Sequence, residues 1–244
     1  MSPGPPSPWC RTREAREAEV RTGSGHAFAW LRVYVEHRYA ILFYSLLFTL
    51  AAAPVSAALG LGGGPIELFL AANLLMAVMP VAKGRNRRLL ITCLIILLTA
   101  RLATVWLDHP VLAAITLGMW TIVALAAAGG ALGFAMRSKS VEAEQLYAAL
   151  SSYLLAGIFL GLLYWVLEQV WPSTFVTATG EFSRTSAIYF SFVTLATLGY
   201  GDIVPRGDLG RGLAVVEGIG GQLFLAVLVA RLVSSYVQRK HDAE

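Results

Sequence analysis

The sequence predicts an all-α membrane protein: six transmembrane helices, with a re-entrant half-helix between the fifth and the sixth. Three observations carry that expectation. Of 244 residues, 57% are hydrophobic and only 14% charged, with a mean hydropathy of +0.64, whereas soluble domains have about 25% charged residues. The apolar residues fall in runs near the length of about 20 that a helix needs to cross a hydrocarbon core of about 30 Å. Lysine and arginine crowd alternate connections between those runs, as the positive-inside rule requires.

The segments follow in order. Residues 1–8, MSPGPPSP, are proline-rich and predict disorder. Residues 11–21 mix Arg11, Arg13, Arg16 and Arg21 with Glu14, Glu17 and Glu19, a solvated helix or tail. FAWLRVYVEHRY (28–39) suits a segment lying at the membrane surface. The first span is expected at Ala40–Leu59, with Pro54 able to kink it. VSA before Ala58 resembles a cleavage site, but the polar stretch ahead of it is too long for an ordinary secretory signal, and no cleavage is expected. GLGGGP reads as a turn, since no strand precedes it to make a phosphate loop. Further spans are expected at Ile66–Val81, Leu89–Leu107, Val111–Met136, Leu146–Val170 and Gly212–Val237. The G-x-x-x-G spacings Gly129/Gly133 and Gly157/Gly161 predict close helix packing.

Orientation follows from charge. Fourteen basic residues lie on one side (Arg11, Arg13, Arg16, Arg21, Arg32, Arg38, Lys83, Arg85, Arg87, Arg88, Arg137, Lys139, Arg239 and Lys240), and three (Arg184, Arg206 and Arg211) in the long 171–211 connection. Both termini are therefore expected in the cytoplasm, with the 171–211 stretch entering from outside. The net charge of +4 does not argue for nucleic acid, because the basic residues sit in short loops beside apolar runs. Cys10 and Cys93 form neither a disulfide framework nor a metal motif, and His26, His37, His109 and His241 are scattered. No carboxylate–His or Ser–Lys grouping suggests an enzyme, and paired broken helices of the kind transporters carry are missing.

Residues 194–205, TLATLGYGDIVP, interrupt the apolar pattern with Gly199, Tyr200, Gly201 and Asp202. SRTSAIYFSFVTLA (183–196) ahead of it reads as a short helix with Ser183 as N-cap. At 1.5 Å per residue that helix is roughly 20 Å long, enough to enter a bilayer and not to cross it. Non-helical backbone at membrane depth survives only when buried in protein or lining a watery path. The tip is therefore a pore lining or a buried turn.

TLATLGYGD resembles the signature of potassium-channel pore domains. The likeness extends to the aromatic pair Tyr189 and Phe190, to Pro205, to Gly210-Arg211, and to Gly221, placed where the family often has a hinge glycine. It covers roughly residues 146–237; the first 140 residues add only spans. What the resemblance implies is a bacterial six-transmembrane, single-pore-loop potassium channel, assembling as a homotetramer around one pore. Its selectivity filter would be Thr197, Leu198, Gly199, Tyr200, Gly201 and Asp202, with K+ held by the carbonyls of Thr197, Leu198, Gly199 and Tyr200 and by the Thr197 hydroxyl. Inward carbonyls require alternating backbone conformations, which Gly199 and Gly201 reach cheaply. Asp202 would sit at the outer mouth. No catalytic residue and no cofactor beyond the permeant K+ are expected; the partners are membrane lipid and further copies of the chain, with neither nucleic acid nor a soluble partner.

Three domains are expected: residues 1–39 as cytoplasmic tail and interfacial segment, 40–140 as four helices lacking voltage-sensor charges, and 141–244 as the pore domain. The short tail after Val237 predicts no C-terminal ligand-binding domain. Leu198 stands where the family commonly has valine, and Val193 where some members have a glutamate behind the filter. Glu217 has two readings: it braces the half-helix or filter from behind, or it faces the outer water. Arg101 and Arg231 are expected to snorkel toward span ends. Tyr189, Phe190 and Glu217 are thus the candidate filter supports, and Gly221 the candidate hinge. A nonselective channel and a non-conducting partner subunit remain the nearest rivals, although Tyr200 and Asp202 argue for potassium.

Overall fold

In the computed structural model, the residues described are 37–56, 58–59, 64–78, 92, 95–96, 99–100, 110–137, 143–178 and 180–241. They form α1 (His37–Ser56), α2 (Gly64–Val78), α3 (Pro110–Arg137), α4 (Ala143–Val170), β1 (Phe175–Thr177), α5 (Arg184–Leu195), β2 (Ile203–Pro205) and α6 (Asp208–His241). Four helices are long and apolar enough to cross a membrane: His37–Ser56, Thr116–Met136, Ala143–Val170 and Asp208–Val237. The chain is an integral membrane protein, mostly helical. Among the described residues it departs from the all-α expectation in one place, the antiparallel pair β1–β2, with Phe175 opposite Pro205 and Thr177 opposite Ile203.

Of the expected second span, Ile66–Val81, the described residues end at Val78 within α2, and residues 79–81 lie outside them. The 15 described residues of α2 span about 22 Å. Most of the third expected span (89–107), Arg101, the tail before residue 37 and residues 60–63 of the glycine-rich turn lie outside the described residues, while Gly64 and Pro65, expected in that turn, open α2. Helix α1 runs through Pro54, and the Leu59 N–H still reaches the Val55 carbonyl at 3.0 Å.

Lipid is as apolar as leucine, so burial of hydrocarbon gives helices little reason to associate in a bilayer; close packing of small residues and side-chain hydrogen bonds do. Helix α4 is built that way, burying Ala148, Ala149, Ser151, Ser152, Gly157 and Gly161 along its length. It packs against α3 on one side and α5 on the other. The Ser152 hydroxyl donates to the Ala128 carbonyl of α3 at 2.8 Å. A Cβ on Gly157 would stand 2.6 Å from the Phe192 ring, and one on Gly161 2.5 Å from the Ile188 backbone, so these glycines seat α5 directly on α4. The other pair behaves differently from expectation: Gly129 and Gly133 have open space where a Cβ would lie. Their spacing marks no close contact among the described residues.

Helix α1 meets α4 at its start. The Tyr39 N–H donates to Glu144 Oε1 at 2.7 Å, and the Ser151 hydroxyl to the Tyr39 carbonyl at 3.3 Å. Its buried residues Tyr39, Leu42, Leu46 and Thr49 recur every three or four positions, which is one helix face. Helix α6 is the opposite case, with 11% of its most apolar window buried inside the chain.

Candidate functional site

Helix α5 begins where its sequence says it should. Ser183 is extended (φ −83°, ψ 168°) and its side chain accepts the Ser186 N–H, satisfying one of the orphan donors of the first turn. The helix stops through a Schellman motif. Leu198 N–H reaches back to the Val193 carbonyl at 2.8 Å, and Thr197 N–H to the Thr194 carbonyl at 3.0 Å. Thr197 itself is left-handed, with φ 54°.

Glycine is the usual residue at that position, and a side chain with a Cβ costs roughly 1–2 kcal/mol there. Two residues on, Gly199 has φ 60°, and two further, Gly201 has φ 78°. Left-handed backbone thus recurs at every second residue from 197 to 201. The glycine members of this alternation follow from sequence. Thr197 does not, since a β-branched residue is a poor guess for the left-handed region.

The outer end of the segment is held by the hairpin. Ala178 N–H donates to the Asp202 carbonyl at 2.8 Å, extending the β1–β2 ladder to the end of the loop. Arg206 N–H reaches the Thr174 carbonyl at 2.7 Å. Glu168, at the end of α4, accepts the Ser173 N–H at 2.8 Å and the Phe175 N–H at 3.0 Å through its two oxygens. Sequence reasoning passed over Glu168, although an acid closing an apolar run is a signal worth following.

The expected supports divide. The Tyr189 hydroxyl donates to Asp202 Oδ2 at 2.9 Å, and its ring lies parallel to that of Tyr200, centroids 6.5 Å apart. Phe190 faces the other way. It sits edge-on against Tyr164 and Phe175, with centroids at 5.1 and 5.4 Å, in the apolar cluster beneath the hairpin. Adjacent residues on a helix point about 100° apart, so an aromatic pair cannot serve one partner.

Glu217 lies 4% exposed between α4, α5 and α6. The Tyr164 hydroxyl donates to its Oε2 at 2.5 Å, and the Ser191 hydroxyl lies 2.5 Å from its Oε1. Through these two contacts Glu217 ties α6 to α4 and to α5. Tyr164 and Ser191 were invisible as its partners, because they lie 53 and 26 residues away. Arg231 donates to the Ala135 carbonyl near the end of α3, with Met136 Sδ at 3.6 Å. It therefore engages protein as well as any interface. At Gly221 there is no room for a side chain, since a Cβ would overlap the Leu195 carbonyl.

The loop face itself is open. Leu198 and Tyr200 are 56% and 66% exposed in the single chain, although both are large and apolar. Among the described residues, no group of three His, Cys, Asp or Glu could hold a metal ion.

Residues 149–238 match the model of a protein family described as ion channel. The chain is similar to the protein LctB of Bacillus caldotenax, 28% identical over 102 residues, which is 39% of this chain and 75% of that protein. It is 33% identical over 73 residues to the inward rectifier potassium channel Kirbac3.1 of Paramagnetospirillum magnetotacticum, covering 30% and 22% of the two chains. A probable potassium channel protein 2 of Methanocaldococcus jannaschii is 43% identical over 51 residues, 20% of this chain and 15% of its own. This chain therefore spans under a quarter of each of the latter two. No solved structure matches the chain with significance.

Proposed function

We propose that residues 149–238, which match the family described as ion channel and resemble potassium channels, form a potassium-selective pore in which TLGYGD, Thr197–Asp202, is the filter. The observation that carries the reading is the left-handed backbone at Thr197, Gly199 and Gly201. In such an alternation, successive carbonyls can turn to one side of the strand instead of alternating across it. A potassium ion leaves its hydration shell without large cost only if oxygens replace it. The carbonyls of Thr197, Leu198, Gly199 and Tyr200 and the Thr197 hydroxyl supply them.

One chain provides one wall, so the ring requires four, and the functional unit is a homotetramer with its pore on the four-fold axis. The exposure of Leu198, Tyr200, Val215, Val216 and Ile219 in the single chain supports a covering by neighbouring copies and lipid. Helix α5 enters the membrane from outside and points its C-terminal, partly negative end at the central cavity, which favours a cation there. Asp202 concentrates cations at the outer mouth.

The same reading places both termini in the cytoplasm, gives six spans, and divides the chain into a tail (1–39), a four-helix domain (40–140) and the pore domain (141–244), with Gly221 as a hinge. The reaction is passive K+ flux, without a catalytic residue or cofactor. Helix α3 carries no charged residue before Arg137. Each charge crossing the field is worth about 2.3 kcal/mol per 100 mV, so opening depends little on voltage.

The test is the full-length protein in liposomes with a potassium gradient. Passive K+ flux much faster than Na+ flux is expected. Equal permeability would refute selectivity, and no flux under any condition would refute conduction. Tail currents over a wide voltage range check the gating statement, which steep opening with several gating charges per subunit would overturn.

A further inference from the structure

We propose that Gln222 is a positioning residue for the inner end of the filter: its amide holds the Thr197 hydroxyl oxygen as the innermost ligand of a permeating potassium ion. The proposal rests on the potassium-channel reading and adds a residue to it. Gln222 Nε2 donates to Thr197 Oγ1 at 2.9 Å. Three independent features lead to that contact.

The first is the backbone. Thr197 occupies the left-handed position of a Schellman motif, where glycine would relieve the strain. A threonine kept there brings a hydroxyl that glycine lacks. The second is helix approach. Gly221 has no side chain to keep α6 away from the Leu195 carbonyl at the end of α5, and the next residue along α6 is therefore carried beside residue 197. The third is position. Thr197 and Gln222 are both exposed in the single chain, on the open side that also carries Leu198 and Tyr200.

The chemistry needs a fixed hydroxyl. That group has one proton and two lone pairs. A cation can use its oxygen only while a lone pair, and not the proton, faces the ion. The Gln222 N–H takes one lone pair, which turns the O–H away from the α6 side and leaves the second lone pair for K+. Without that donor the hydroxyl rotates, and its proton faces the ion part of the time. Four copies around one ion repeat the effect.

The experiment compares wild type with Gln222→Leu, Gln222→Met, Thr197→Val and the double variant Thr197→Val/Gln222→Leu, as full-length protein in liposomes. Two quantities are read: the K+/Na+ flux ratio, and the Ba2+ concentration that halves K+ flux. Ba2+ has nearly the radius of K+ and twice its charge, so it reports on the oxygens that hold an ion. Gln222→Leu and Gln222→Met are expected to need at least about fivefold more Ba2+, the worth of a single ordinary hydrogen bond where four are removed, and to lower the flux ratio. In the Thr197→Val background, Gln222→Leu should add nothing further, because the acceptor is already gone.

Wild-type values in either assembled Gln222 variant would overturn the proposal. So would a full additional loss in the double variant, which is how a purely structural role behaves. Failure of both Gln222 variants to form tetramers would place the residue in the fold and not in the site. A wild-type protein that does not prefer K+ to Na+ would instead sink the potassium reading on which the proposal stands.

Discussion

The two halves of the chain hold themselves together by different means. From α4 to α6, irregular backbone is pinned by side chains from distant elements: Glu168 under Ser173 and Phe175, Tyr189 on Asp202, and Tyr164 and Ser191 on Glu217. In α1 to α3 the described contacts are mostly apolar faces and alanines, such as Ala124, Ala127, Ala128, Ala131 and Ala135. The polar groups there are less completely matched. Asn73 donates to the Thr49 hydroxyl at 3.0 Å and the Phe69 carbonyl at 2.9 Å, while its Oδ1 and the Trp120 Nε1 are buried and meet no partner among the described residues. Regular helix satisfies its own backbone and tolerates exchange of one apolar contact for another. A non-helical segment does not, so its neighbours must supply the missing bonds.

The sharpest way to break that contrast is Gly199→Ala. A Cβ there meets open space, so the penalty is the left-handed backbone alone, roughly 1–2 kcal/mol in each of four chains. K+ flux should fall by more than about tenfold, with the tetramer intact by size-exclusion chromatography. Normal flux in an assembled Gly199→Ala protein would mean that the alternation is not needed.

Next in size is Glu217→Ala, which leaves the Tyr164 hydroxyl facing a void at about 1–3 kcal/mol, while Ser191 keeps the Gly157 carbonyl; the thermal stability of the assembled protein reads the loss. Glu217→Gln should be much milder. Ser191 has one proton for two acceptors, Glu217 Oε1 at 2.5 Å and the Gly157 carbonyl at 2.7 Å, so a donor at position 217 completes the set. A Gln variant as unstable as the Ala variant would show that the negative charge itself is required.

A smaller effect, about 1 kcal/mol, is expected for Glu168→Gln, read as faster amide hydrogen exchange at Ser173 and Phe175 with little change elsewhere. Smallest is Asn73→Leu, which removes a half-satisfied buried amide. It should shift stability by less than about 1 kcal/mol and leave the K+/Na+ flux ratio unchanged. A large loss of selectivity from Asn73→Leu would erase the distinction between the halves.

What sequence made legible was local. The Ser183 cap, the half-helix, the glycine positions in GYGD and the charge-poor fourth segment each depend on a few neighbouring residues. The interruption of an apolar run by Gly199 and Gly201 made the family resemblance available before any contact was known. What escaped was register between helices. Gln222 meets Thr197 across 25 residues, and Tyr164 meets Glu217 across 53. Nothing in either neighbourhood announces the other. Phe190 was grouped with Tyr189 because they are adjacent, yet helical geometry separates them. Gly129 and Gly133 share their spacing with Gly157 and Gly161, and only the second pair has a helix pressed against it.

One consequence lies in how little slack the chain leaves itself. Leu198 is bonded back to Val193, and Asp202 is bonded to Ala178, so only Gly199, Tyr200 and Gly201 lie between two anchored points. Fixing a residue's backbone costs about 1–2 kcal/mol of conformational entropy, and here the freedom of those three residues is already cut by folding, before any ion arrives. If this loop is the filter proposed above, little ordering remains to be charged against each ion that binds, and an ion that leaves releases little. Entry and exit can then alternate without the loop refolding between them.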